Sequence, residues 1–386
     1  MASKIISIRT SKRSSEYEIT IGRDLLSGTG AWAEKSIGAG GKRVAVISNP
    51  KVFGLYGDGL KASLKKSGFQ VSTWLMKDGE RHKSLRSLES ALGFLGESRL
   101  TRADAVLALG GGVVGDLAGF AASVYLRGIP FLQVPTTLLS MIDSSVGGKT
   151  GVNTKFGKNL VGSFYQPNGV LIDIGVLATL PSRELTAGFC EAVKQGAISG
   201  KRLFWQTGDF LERYRLKGRH LDLSDERVRS ELAELIFSQV SFKARIVRQD
   251  EREALDRSDA KSRKILNFGH TFGHALEKVT GFRRFRHGEA VGYGIVFAAE
   301  LSKILELLGQ DELEWLNDVV HRAGQLPPLN GIDAKEVLDA FQFDKKLIAE
   351  SIQWILLEKI GRPVILSGTE VPSSAVKQAV GKILSK

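Results

Sequence analysis

The sequence predicts an α/β N-terminal half with a mostly parallel sheet, followed by an all-α C-terminal half. Short β-branched apolar runs alternate with helical periodicity up to about residue 174. After Pro181 helical periodicity takes over, and in the first half one apolar run leads directly into a glycine cluster. Strands alternating with helices are the pattern of parallel strands joined by crossover helices.

At the N-terminus, KIISIRT and YEITIG alternate like two short strands. RVAVISN (43–49), QVSTWLM (70–76), AVLALG (105–110), FLQVP (131–135) and GVLIDI (169–174) read as buried strands. Their apolar residues run on with little alternation, as in a sheet covered on both faces. GLKASLKKSG and SLRSLESALGFLGE between them read as helices. In the second half RELTAGFCEAVKQGAI, VRSELAELIFSQVSFKARIVRQDE, TFGHALEKV, EAVGYGIVFAAELSKILELLG, DELEWLNDVVHRAG and DAKEVLDAF all carry helical spacing. SIQWILLEKIGRPVIL reads as a strand or hairpin. The expected domains are 1–178 and 179–386, joined near residues 175–182.

Composition narrows the function classes. A chain of 386 residues, 42% apolar and 25% charged, is long enough for two domains at roughly 150 residues each. Forty-three glycines against nine prolines place glycine in turns and ligand loops. No run approaches the ~20 apolar residues of a membrane helix. The longest apolar stretch, 103–126, carries Asp104, Asp116 and the glycine cluster. The N-terminal segment lacks the apolar core of a secretory signal and reads as mature and cytosolic. Cys190 is the only cysteine, which excludes an intrachain disulfide and a thiolate metal cluster. The net charge of +12 is compatible with nucleic acid, a membrane surface or small anionic substrates. Its basic residues are spread along the chain, densest in GFRRFRHG (281–288), with no nucleic-acid-binding motif beside them. A solvated basic surface is therefore the expectation, with neither nucleic acid nor membrane as partner.

Three segments could carry chemistry. In AVLALGGGVVGDLAGFAA, Gly110, Gly112 and Gly115 form G-x-G-x-x-G between a strand and a helix. Such glycines let backbone amides approach a pyrophosphate, although a purely structural turn gives the same letters. The ribose-binding acid usual ~20 residues later is absent, since PTTLL stands there. In LNFGHTFGHALEKVTGFRRFRHGEAV, three of the six histidines, His270, His274 and His287, fall within eighteen residues near Asn267, Glu277 and Glu289. Spacing alone pairs His270 with His274 on one helix face, as divalent-metal ligands or as ordinary core histidines. Third, DSSVGGKTGVNTKFGKNLVGSFYQP sets Asp143, Lys149, Asn153, Lys158 and Asn159 among glycines, the make-up of a loop for a phosphate or polyol.

Together with LPSRE, EAVKQG and HGEAV, these motifs stand in the order and spacing of the 3-dehydroquinate synthase family, which the chain resembles from about Gly79 to beyond Lys346. The resemblance implies a Rossmann-like N-terminal domain and a helical domain for metal and substrate. It implies NAD, one divalent metal (zinc, with cobalt as a substitute) and a homodimer. The implied reaction converts 3-deoxy-D-arabino-heptulosonate 7-phosphate to 3-dehydroquinate and phosphate in the shikimate route to chorismate. NAD oxidises C5, phosphate is eliminated, the hydride returns, the ring opens and an aldol addition closes the carbocycle.

By resemblance, Glu191, His270 and His287 hold the metal, and His274 moves to the substrate side. Asp143, Lys149, Lys194, Asn267 and His274 are the implied catalytic set. Lys149, Asn159, Lys194, Lys243, Arg263, Asn267, His274 and Lys346 are implied to contact substrate, with Arg127 reaching the phosphate of the partner subunit. For NAD the implied contacts are Glu80 and Lys83, then Gly111, Gly112 and Asp116, then Thr136, Thr137, Asp143, Lys158, Thr179, Leu180 and Glu184. Asn49 stands where the family usually has a ribose-binding aspartate, so Asn49→Asp is expected to tighten NAD modestly. Phe189-Cys190 and Gln195 are further departures from the pattern. Related sugar-phosphate cyclases and polyol dehydrogenases are the competing readings. Lys243, Arg263 and Asn267 match the dehydroquinate pattern and favour that reaction, with the amino analogue left open beside it.

Overall fold

The computed structural model describes residues 4–9, 16–38, 40–214, 221–348 and 352–385. Its elements in chain order are β1 (Lys4–Arg9), β2 (Glu16–Gly22), α1 (Thr29–Ile37), β3 (Arg43–Ser48), α2 (Pro50–Lys66), β4 (Gln70–Leu75), α3 (Leu85–Glu97), β5 (Ala105–Gly110), α4 (Gly112–Val124) and β6 (Phe131–Pro135). Next come β7 (Lys149–Thr154), β8 (Gly157–Phe164), β9 (Gly169–Asp173), α5 (Ser182–Ser199), α6 (Lys201–Arg213) and α7 (Glu226–Gln249). The chain closes with α8 (His270–Val279), α9 (His287–Ile304), α10 (Gln310–Arg322), α11 (Ala334–Ile348), β10 (Gln353–Lys359), β11 (Arg362–Ser367) and α12 (Ser373–Leu384).

Two compact units result. The first contains residues 1–180 and 223–244, and the second 181–222 and 245–386. The chain passes between the units at 180/181, and residues 223–244 group with the first unit. α7 reads as one uninterrupted helix in sequence, and nothing in its periodicity marks the point, after Ala244, where its packing partners change.

The first unit is a seven-stranded sheet in the order β1-β2-β9-β6-β5-β3-β4. All pairs are parallel except β1 with β2. The expected strands fall within a residue of their observed ends because β5, β6 and β9 are buried at every position, as parallel strands under helices must be. Two cores flank the sheet, one around Leu117, Phe131 and Leu95, the other around Leu60, Leu64 and Leu132. At about 25 cal/mol per Å² of apolar surface, this two-sided burial is what orders the strands.

The Gly- and Lys-rich segment expected as a loop is largely a hairpin: β7 pairs antiparallel with β8, Lys149 opposite Phe164. Close backbone approach replaces the apolar signal there, since a Cβ on Gly162 would lie 2.0 Å from the Thr150 carbonyl oxygen. Among the described residues the second unit is helical apart from the β10–β11 hairpin, which lies where a strand or hairpin is expected from sequence. Among the described residues no helix is long and apolar enough to cross a membrane.

Candidate active site

In the first unit β5 runs into the glycine turn and Gly111 caps α4 without any side-chain cap. The amides of that first turn are therefore available to an anion. Side chains crowd the turn: a Cβ on Gly111 would lie 3.1 Å from Thr137 Cγ2, and one on Gly112 would lie 3.0 Å from Ser144 Oγ. Thr136 and Thr137 follow β6 directly, where Thr137 and Ser140 cap each other. The turn is thus bordered by the threonines expected at NAD.

Beside it, Lys83 is 4% exposed; its Nζ donates to Asp116 Oδ2 at 2.8 Å and lies 3.3 Å from Glu80 Oε1. Burial works to lower its pKa, but Asp116 and Glu80 outweigh it and hold the ammonium above its ordinary value. Glu80 also accepts from Asn153 Nδ2 at 2.7 Å. Burial alone would raise its carboxyl, yet Lys83, Lys158 and Asn153 together bring it below the usual range. Asp143 lies in a single π-helical turn, Ser140–Ser144, and is held by the Lys243 ammonium, which also donates to its backbone carbonyl at 2.6 Å. Lys149 is exposed at the start of β7, and Asn159 sits on β8 with φ 56°, its N–H donating to Asn153 Oδ1 at 3.0 Å.

Asn49 Oδ1 accepts the Val52 N–H at 2.9 Å as the cap of α2, and its Nδ2 donates to Asp78 Oδ1 at 3.3 Å. Tyr56 and Thr179 share a hydrogen bond of 2.5 Å next to Leu180, a partnership that sequence spacing gave no hint of. Arg127 is exposed at φ 66°, between Leu126 at 49° and Gly128 at 113°. Two consecutive non-glycine residues in that region cost of order 1–3 kcal/mol each and persist only where the surroundings enforce them.

The second unit brings α5, α8 and α9 together through glycines. A Cβ on Gly288 would lie 1.9 Å from the Ala187 carbonyl oxygen, and one on Gly294 1.7 Å from that of Gly269. Gly269 itself stands at φ 78°, where a side chain would be strained. Cys190 packs against Gly292, and burial, reinforced by Glu191 and Glu289, pushes its thiol pKa up, so it acts as a small apolar group. Arg183 grips Glu289 at 2.8 and 2.6 Å, while Glu289 accepts the Arg286 N–H at 2.7 Å and fixes the first turn of α9. Glu184 pairs with Arg286 at 3.0 Å.

This packing gathers Glu191 from α5, His270 from α8 and His287 from α9. Their ligand atoms all lie within 4.8 Å of one another. His287 Nε2 is 3.5 Å and His270 Nε2 3.9 Å from Glu191 Oε1. The Glu191 carboxylate is fully buried, and neither oxygen has a hydrogen-bond partner; Lys194 Nζ lies 2.7 Å from Oε2 as an ion contact. Lys194 offsets part of the cost of burying that carboxylate, and a cation between Oε1 and the two imidazoles would offset the rest. His270 Nδ1 faces the Phe268 carbonyl at 3.2 Å, which leaves Nε2 unprotonated for a metal. Burial, then Lys194 and the other two imidazoles, keep the His270 pKa well below its ordinary value. The residues present fit a divalent cation.

His274 is exposed, its ring centroid 5.4 Å from that of His270, so the i,i+4 pair is close but does not form the buried ligand set. Asn267 donates to Glu253 Oε1 at 3.2 Å. Arg263 is 2% exposed, with its N–H on Asp250 Oδ2 at 2.8 Å and its guanidinium on the Glu251 carbonyl at 2.6 Å. Glu253 and Asp250 thus shape this region although nothing in their spacing marked them. The Lys346 side chain lies outside the described residues.

The profile described as 3-dehydroquinate synthase N-terminal matches residues 73–187, and its C-terminal counterpart matches 188–347. A 3-dehydroquinate synthase of Nostoc punctiforme is 43% identical over 344 residues, 88% of this chain and 90% of the relative. One of Synechococcus sp. is 40% identical over 373 residues, 95% and 96% of the two chains. Among solved structures, 2-epi-5-epi-valiolone synthase from Streptomyces hygroscopicus, with NAD+ and Zn2+ bound, superposes with a TM-score of 0.82 at 25% identity, covering 97% of this chain and 99% of that one. A 2-deoxy-scyllo-inosose synthase complexed with carbaglucose-6-phosphate, NAD+ and Co2+ shares the fold at the same TM-score and 24% identity, covering 98% of this chain and 99% of that one. With both family profiles matched in tandem and relatives at 40–43% identity over most of either chain, the chain belongs to the 3-dehydroquinate synthase family.

Proposed function

We propose that the chain converts 3-deoxy-D-arabino-heptulosonate 7-phosphate to 3-dehydroquinate and phosphate, using NAD and one divalent metal. The observation that carries this reading is the buried carboxylate of Glu191, whose Oε1 has no hydrogen-bond donor and faces the Nε2 atoms of His270 and His287. A bound metal would polarise the hydroxyl to be oxidised and NAD would accept and return its hydride. Glu191, His270 and His287 would hold the metal. The uncapped first turn of α4 would take the pyrophosphate, with Glu80, Lys83, Asp116, Thr136, Thr137, Lys158 and Thr179 around the rest of the cofactor.

The chain's own residues then bind, orient and stabilise charge. Lys149, Lys194, Lys243 and Arg263 supply the cations that a substrate with a carboxylate and a phosphate requires. Arg263 is anchored by its N–H and one guanidinium nitrogen, which pre-orients its planar fork. Asn159, Asn267 and His274 would hydrogen-bond hydroxyls. Asp143, fixed by Lys243, keeps that ammonium in place.

We further read the enzyme as a cytoplasmic homodimer in which Arg127 serves the partner's substrate. Its enforced backbone and the exposed apolar side chains of Val124, Leu126 and Phe164 support an interface there. Phosphate release from the heptulosonate phosphate tests the function: chelator should abolish it, zinc or cobalt should restore it, and NADH should not accumulate. Full activity in metal-free protein, or stoichiometric NADH, would overturn the assignment. An Arg127→Ala chain mixed with an inactive His287→Ala chain should regain part of the wild-type rate if sites are shared between subunits.

A further inference from the structure

His287 belongs to two possible three-ligand sets, Glu191–His270–His287 and His274–Glu277–His287, each with ligand atoms within 4.8 Å. One imidazole cannot serve both in the same way. Its Nε2 faces Glu191 Oε1 at 3.5 Å and its Nδ1 faces Glu277 Oε2 at 3.3 Å. Glu277 is 3% exposed and lies on α8 two turns beyond His270, so its carboxylate is held by the same helix that carries a metal ligand. His274, by contrast, is exposed.

We propose that Glu277 is a positioning residue that decides which of the two sets holds the metal. The inference rests on the metal reading given above. By accepting the Nδ1 proton of His287, Glu277 fixes the tautomer whose Nε2 lone pair points at Glu191 and His270. A carboxylate behind a ligating imidazole also orients the ring and raises its basicity. With Nδ1 protonated, the second set loses a ligand atom, and His274 is left to substrate rather than to a second ion. The short helical spacing that makes His274 and Glu277 neighbours would otherwise invite a metal into the wrong place.

The test is cobalt binding to metal-free protein, followed by visible absorption and by competition with a chelator, so that no turnover is needed. Failure of the wild-type chain to bind cobalt at all would remove the metal reading itself, and this inference with it. Given binding, Glu277→Ala should weaken cobalt affinity about 10–100-fold and alter the ligand-field spectrum. Glu277→Gln keeps an acceptor for the Nδ1 proton and should recover most of the affinity and the wild-type spectrum. The Glu277→Ala loss should vanish in a His287→Ala background, because Glu277 acts through that ring. Wild-type affinity and spectrum in Glu277→Ala would overturn the proposal, as would an equal loss in the His287→Ala background. A Glu277→Gln variant as impaired as Glu277→Ala, with NAD affinity unchanged, would overturn it as well.

Discussion

In the cofactor half of the chain, buried Lys83 is met by Asp116 at 2.8 Å and Glu80 at 3.3 Å, so its charge is balanced within the protein. In the metal half, the equally buried carboxylate of Glu191 meets the Lys194 ammonium at 2.7 Å through Oε2, while Oε1 faces the His287 and His270 imidazoles at 3.5 and 3.9 Å. The first arrangement is complete when the ligand is away; the second pairs one carboxylate oxygen with Lys194 and leaves the other, with two imidazoles, around a gap that a metal ion would fill. A cofactor that binds and leaves suits the former, and a resident metal suits the latter. Stability should therefore depend on metal far more than on NAD.

Breaking the metal half should have the largest effect. His270→Ala is expected to lose metal and turnover together while NAD affinity, measured by fluorescence titration, stays near wild type. In the wild-type chain, zinc at a hundred times its Kd should raise the unfolding free energy by about 2.7 kcal/mol through binding linkage alone. Equal metal content in wild type and variant would show that Glu191 and His287 suffice, and the contrast between the two halves would fail.

The next effect comes from the glycines that bring the proposed ligands together. Gly288→Ala puts a methyl 1.9 Å from the Ala187 carbonyl oxygen on a neighbouring helix, and no side-chain rotation can relieve that contact. A loss of about 3 kcal/mol or more in stability is expected, at the upper end of overpacking, together with weaker metal binding. Gly112→Ala in the cofactor half meets only the Ser144 hydroxyl, at 3.0 Å, which can move. Chemical denaturation of the two variants should rank them in that order; the reverse order would mean that the nucleotide turn is the less forgiving site.

The same contrast separates the features that are local in sequence from those that only the folded chain brings together. β5, β6 and β9 announce themselves because parallel strands buried on both faces leave an unbroken apolar run. The glycine turn is visible for the same local reason. Glu191 is not, because it lies seventy-nine residues before His270 and meets it only through the packing of α5, α8 and α9. Resemblance supplied Glu191 as a candidate, whereas periodicity supplied the pair His270 and His274, neighbours that do not share the cluster around Glu191. Glu277, Glu253 and Asp250 act on residues ten to fourteen positions away across loops, a range at which no repeat holds.

A smaller effect is expected from opening the internal balance of the cofactor half. Lys83→Met strands Asp116 and Glu80, but both keep some solvent access and Glu80 keeps Asn153, so the cost is about 2 kcal/mol, that of leaving acceptors unpaired. The pH dependence should change too. Glu80 titrates below its ordinary range, so its contribution is present above the ordinary glutamate value and fades as pH falls through the lowered one. Without Lys83 that lowering weakens, while Asp116, already held above its ordinary value by burial, rises further, so the gain in stability as pH rises from about 3 to 6 should shrink or reverse. An unchanged slope would move the source of the lowering to Lys158 and Asn153.

The smallest effect concerns Asn49, where sequence alone predicts that an aspartate would tighten NAD. The geometry alters the expectation. Aspartate would still cap α2 through the Val52 N–H, and the helix N-terminus favours its charge. It would also lose the donor that now reaches Asp78 Oδ1 at 3.3 Å and set one carboxylate against another. Like charges at that distance raise each other's pKa and leave neither a better acceptor for a ribose hydroxyl. Asn49→Asp alone should thus leave NAD affinity unchanged or slightly weaker. Asn49→Asp combined with Asp78→Asn restores an amide–carboxylate pair with the charge moved to position 49. That double variant should bind NAD more tightly than the single one, by up to about 1 kcal/mol or fivefold in Kd. Isothermal titration of the three chains decides it: a single variant that binds more tightly than the double would show that Asp78 does not govern the charge at position 49.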